Sequence, residues 1–174
     1  MPPLSRRSRA WLAFVAMAPL IFAGSETFAA AAKTKVKPPV PISPSDCSLI
    51  ASRMGDALGL RLTGANADFT DPATSLPGQA CHITGQGRSN KLFDIDNAAR
   101  ALVVGMSGWK RDPMLDADGP DGAVRTFKRP KQTAILSVTW SAPPGVCRDD
   151  EPIASCDIKP SQRIWSFSGD AFQL

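Results

Sequence analysis

Four cysteines, at positions 47, 81, 147 and 156, constrain this chain more than any other feature, and the N-terminus decides what they can become. "MPPLSRRSRA" carries Arg6, Arg7 and Arg9 and no acid; "WLAFVAMAPLIFAG" is apolar; "SETFAAAAK" is rich in small residues. Basic, apolar and small segments in that order are the pattern of a secretory signal peptide, and cleavage after Ala29, Ala31 or Ala32 puts small residues where a signal peptidase reads them. Residues 1–32 are read as that signal. The apolar run is short for a membrane span of about 20 residues, so no transmembrane span is expected after cleavage. An uncleaved anchor is the alternative. Arg6-Arg7 also suggests twin-arginine export, although Ser8 and Arg9 follow where that signal turns apolar. No cysteine lies near the cleavage region to carry a lipid.

Export to the periplasm or medium makes disulfides the first reading of the cysteines. Four cysteines permit three connectivities. Nearness in sequence favours Cys147–Cys156. Cys47 falls on the apolar stripe of a helix pattern and Cys81 on the apolar side of an alternating strand, so matching burial favours Cys47–Cys81. Chain entropy assigns about 2.7 kcal/mol to the small ring and about 3.8 kcal/mol to the large one. Zinc needs closely spaced ligands, yet Cys147 and Cys156 enclose eight residues and His82 is the only histidine. A CxxC redox pair is absent. No metal or cofactor is expected.

Charge excludes one class of partner. The whole chain carries +4, but the leader holds three arginines and one glutamate, so the mature chain carries +2. Three further lysines lie in "KTKVKPPVPISP", residues 33–44, read as an extended Lys/Pro-rich linker. The remainder is close to neutral. It lacks the concentrated basic surface that nucleic acid requires.

Residues 45–174 suit one domain. "SDCSLIASRMGDALG" predicts a helix capped by Ser45 and ended by Gly59, with Cys47, Ile50, Ala51, Met54, Ala57 and Leu58 on one face. "LRLTG" reads as a short strand and "ANADFTDPATSLPG" as a loop. "QACHIT" alternates, turning Cys81 and Ile83 one way and His82 and Thr84 the other. "FDIDNAARALVVGMSG" predicts a second helix with Ile95, Ala98, Ala99, Leu102, Val103 and Met106 buried, started by Asp94 or Asp96 and ended by Gly108. Strand signals follow in "WKRDPML", "AVRTFK", "TAILSVTWS" and "RIWSFSG". Trp109, Trp140 and Trp165, in or beside these runs, are expected in the core. The order predicts an α+β two-layer domain: two helices on one face of a mostly antiparallel, disulfide-stapled sheet.

The candidate sites each meet a plainer explanation. Arg148, Asp149, Asp150 and Glu151 form the tip of the small cystine loop, a solvated turn with a possible partner-contact role. "DADGPDG" clusters Asp116, Asp118 and Asp121, but the calcium-loop order fails at Pro120, Asp121 and Phe127, so it reads as a turn. "TGQGRSN" lacks the third glycine and the Gly-Lys-Ser/Thr of a phosphate loop and reads as a flexible connection. No serine has a GxSxG context. Glu151 is the only glutamate left after export, so a carboxylate pair would need aspartates. The sequence therefore favours a non-catalytic exported protein that binds another envelope or extracellular protein. A hydrolase using His82 with aspartates is the first alternative. A carrier holding a small apolar ligand between sheet and helices is the second.

Overall fold

The computed structural model describes residues 36–147, 152 and 155–174, which belong to one compact unit, Lys35–Leu174. In chain order the elements are β1 (Val40–Pro41), α1 (Pro44–Leu58), β2 (Thr63–Thr70), β3 (Pro77–Gly87), α2 (Ile95–Gly105), β4 (Lys110–Arg111), β5 (Ala117–Asp118), β6 (Gly122–Arg129), β7 (Gln132–Ser141) and β8 (Ile164–Gln173). Short 3-10 turns lie at Pro113–Leu115 and Pro160–Gln162. The sheet order is β2-β3-β8-β7-β6-β4, with β1 on β8 and β5 on β6, and every pairing is antiparallel. This is the expected α+β two-layer arrangement.

Strand registers separate the faces. Cys81 and Ile83 on β3, Trp165, Phe167 and Ala171 on β8, Ala134, Leu136 and Val138 on β7, and Phe127 on β6 share the face that meets the helices. From α1 come Cys47, Ile50, Met54 and Leu58, and from α2 Ala98 and Leu102. Trp165 is fully buried, Trp140 nearly so, and Trp109 packs against the same core. Burying a large apolar side chain contributes roughly 1.5–3 kcal/mol, so this layer dominates the favourable terms. β8 lies between β3 and β7 and pairs with both along most of its length, so the last strand in sequence is central in space.

Both disulfides staple this frame. Cys47–Cys81 ties α1 to β3, and Cys147–Cys156 closes the loop between β7 and β8. Ser43 accepts a hydrogen bond from the Asp46 N–H, and Gly59 closes α1 in the left-handed conformation at φ 66°. Asp94 caps α2 by accepting from the Asn97 N–H at 2.7 Å.

Several boundaries differ from those expected. The cap of α1 is Ser43, not Ser45, because Pro44 supplies the fixed φ that suits a first helical position. The linker ends earlier: Val40 and Pro41 pair with Gln173 and Phe172, and Ile42 is buried. "ANADFT" is strand, not loop, because β2 pairs with β3 without interruption from Thr63–Thr84 to Thr70–Pro77. Its mostly exposed residues hide the alternation. Val103 is exposed, since the buried arc of α2 includes Gly105 instead, where α1 approaches closely. "TGQGRSN" is largely ordered strand: β3 runs to Gly87, and the buried Ser89 hydroxyl donates to the Leu58 carbonyl.

Candidate functional site

The helices cover one face of the sheet, and three features of the remaining surface carry chemistry. The first is a row on the far face. Pairing puts His82 of β3 opposite Asp170 of β8, with Thr84 opposite Ser168 one step along. His82 Nδ1 lies 2.7 Å from Asp170 Oδ1, and the side chains are 39% and 25% exposed. A carboxylate only accepts, so Nδ1 carries the proton and Nε2 is left as an acceptor in the neutral ring. The aspartate orients the imidazole as in a general base. A nucleophilic site also needs a hydroxyl within hydrogen-bond reach of that imidazole. Among the described residues Asp170 is the only side chain hydrogen-bonded to His82.

The second feature is the contrast between the two ends of the sheet. At one end β4 and β5 have two residues each, set among Lys110, Arg111, Pro113 and Pro120. Short strands, charge and proline are the usual protections of an exposed edge. At the other end β2 runs eight residues in unbroken register with β3 and pairs with no second strand among the described residues. Thr63, Gly64, Ala65 and Asn66 are all exposed. The strand has no proline or lysine and one charge, Asp68.

The third feature is a small, partly open pocket on the far face, between the loop that joins β2 to β3 and the turn at Pro113–Leu115. The carrier reading expected its ligand on the opposite side. There the space is packed by Trp165, Phe127, Leu136, Met54 and Leu102, each at most 1% exposed.

No protein-family model matches the chain, and no curated protein or solved structure matches it significantly.

The other sequence candidates are occupied by structural contacts or lie elsewhere. Asp116 accepts from Arg111 Nε at 2.7 Å and from the Thr126 N–H at 2.8 Å, and Asp118 pairs with Arg125 at 2.6 Å. Those aspartates fasten β5 and the adjoining turn to β6. Arg148, Asp149, Asp150 and Glu151 lie outside the described residues, as do residues 1–32. Among the described residues no group of three or more His, Cys, Asp or Glu is placed to hold a metal.

Two disulfides fit an oxidising compartment. No helix among the described residues is long and apolar enough to cross a membrane. Two site residues were not legible in sequence. Asp170 stands 88 positions from His82, and only the β3–β8 register joins them. Thr126, in the pocket, looked like an ordinary strand residue. The one available signal was its outward place in the alternation of "AVRTFK".

Proposed function

We propose that this is an exported, non-catalytic protein of the periplasm or exterior, which binds another envelope or extracellular protein by accepting an extended segment of that partner along β2. The open edge carries the reading. An eight-residue strand whose outer backbone donors and acceptors have no strand partner among the described residues is a template for strand addition, and the opposite edge is guarded by short strands, charge and proline. The small side chains of Gly64, Ala65 and Ala67 leave the backbone accessible. The leader pattern and the two disulfides support export.

A photo-crosslinking residue at Asn66, with a control at Arg53 on the exposed side of α1, tests the reading in the producing cell. The expected result is one discrete adduct with an envelope or secreted protein from position 66 alone. Adducts only between copies of this chain would assign the edge to self-association and overturn the partner reading. A chain retained in the cytosol with its leader uncleaved would overturn export.

The His82–Asp170 pair favours one second reading, a hydrolase. Screening purified protein against ester, amide and phosphoester substrates tests it. Turnover lost on His82→Ala supports the reading, whereas turnover unchanged by that substitution removes it.

A further inference from the structure

The two disulfides differ in what surrounds their sulfur atoms. Cys47 and Cys81 are 5% and 0% exposed, between α1 and the sheet. A reagent reaches their bond only if α1 leaves β3, and the core of Ile50, Met54, Leu58 and Ile83 opens with it. Cys147 and Cys156 lie beyond the end of the β7–β8 ladder, whose last pair is Ser141 with Ile164. Both are partly exposed, and Gly145, Val146, Ser155 and Asp157 beside them are exposed.

The peripheral bond also carries little of the fold. The turns on its two sides close locally: the Val146 N–H donates to the Pro143 carbonyl, and the Ile158 N–H to the Cys156 carbonyl. Among the described residues no backbone hydrogen bond crosses between 142–147 and 155–158. The chain re-enters the core at Ile158, which is buried. Arg163 then stacks over Trp140 at 4.3 Å and donates to the Phe93 carbonyl. These anchors, and the ladder from Gln132–Gln173 to Ser141–Ile164, stand without the disulfide. A thiolate must approach a sulfur directly to displace its partner, so access divides exposed disulfides from buried ones.

We propose that Cys147–Cys156 is a thiol–disulfide exchange site, reduced by an incoming dithiol while the domain stays folded, and that Cys47–Cys81 is not. One thiolate of the dithiol bonds to a sulfur of the pair, the Cys147–Cys156 bond breaks, and the other sulfur leaves as a thiolate. The second thiolate of the dithiol then attacks the sulfur of its own molecule in that mixed disulfide and releases the remaining cysteine. The dithiol ends as a disulfide, two electrons have passed to this chain, and both protons reach the cysteines through water. The chain is the substrate of this exchange, not its catalyst. The site is separate from the β2 edge and does not depend on the strand-addition reading.

The test incubates the purified, disulfide-bonded protein with dithiothreitol, quenches samples with iodoacetamide and maps the labelled cysteines by peptide mass spectrometry. Near-UV circular dichroism follows the packing of the buried tryptophans in parallel. Cys147 and Cys156 should be labelled together, at least about a hundredfold faster than Cys47 and Cys81, with the tryptophan signal retained. In urea above the unfolding midpoint the two pairs should react within about tenfold of each other, because access is then equal. Glutathione, a monothiol, should leave a mixed disulfide on Cys147 or Cys156 and none on Cys47 or Cys81. Cys147→Ala/Cys156→Ala should remove all fast labelling. Equal native-state rates for the four cysteines would overturn the proposal. So would faster reduction of Cys47–Cys81, or labelling of Cys147 and Cys156 only as the tryptophan signal is lost.

Discussion

The sulfur of Cys47 rests on Gly64: a methyl group at position 64 would lie 2.8 Å from Cys47 Sγ and 3.4 Å from Ile83 Cγ1. Neither neighbour can yield easily, since one belongs to the Cys47–Cys81 disulfide and the other is fully buried. The first helix reaches the sheet only because β2 has no side chain there. Gly64→Ala should therefore destabilise the fold by about 1–3 kcal/mol, the usual cost of overpacking. Urea unfolding with both disulfides intact measures it. An unchanged midpoint would mean that the helix is not held against β2 at this point.

The two disulfides should contribute unequally. Cys47–Cys81 spans 34 positions and sits in the core, whereas Cys147–Cys156 spans 9 at the periphery. Chain entropy alone predicts a difference of about 1 kcal/mol. The double variant Cys47→Ala/Cys81→Ala should lose about 3–5 kcal/mol and Cys147→Ala/Cys156→Ala about 1–3 kcal/mol. Comparing their denaturant midpoints tests the order, and the reverse order would refute it.

What the sequence disclosed follows from periodicity. Cys47 and Cys81 could be placed on buried faces because a helix repeats near 3.6 residues and a strand near 2. Leu136, Val138 and Trp140 were visible for the same reason, and all three are buried. β2 escaped notice because a mostly exposed edge strand has no clear hydrophobic alternation, so "GANAD" resembles a loop. β1 escaped because two residues beside prolines carry no period. Val103 was misplaced because a small rotation of α2, set by Gly105 meeting Met54, moves it out of the buried arc. The His82–Asp170 pair and the Thr126 pocket depend on strand order, which no local pattern encodes.

Acid should weaken one tie between the layers. Arg129 pairs with Asp46 at 2.7 Å and stacks over Trp109 at 4.6 Å, joining the start of α1 to the β6–β7 hairpin. The hydrogen bond from Arg129, then that from the Ser43 hydroxyl, holds the Asp46 carboxyl below its ordinary value of 3.8. A depressed carboxylate stabilises the fold above its unfolded value, and that contribution is lost as pH falls through the folded one. Asp46→Asn should cost about 0.5–1 kcal/mol at pH 6, a partly exposed pair being worth no more. That cost should shrink steadily below about pH 4. Parallel unfolding curves from pH 6 to 2 check this; a constant gap between the variants would show that the pair has no part in the acid limb.

Thr126 should be a site where losing a hydrogen-bonding group raises stability. Its hydroxyl is buried at 1% exposure with no partner, whereas its backbone N–H already donates to Asp116. Valine keeps the branched shape and removes the unsatisfied oxygen. Thr-to-Val changes usually destabilise because the hydroxyl had a partner to lose; here the absent partner reverses the sign. Thr126→Val should gain about 1 kcal/mol in ligand-free protein, the lower end of the penalty for an unpaired buried group. Thermal unfolding of both proteins measures the difference. A loss of stability in the valine variant would show that Thr126 already has a partner.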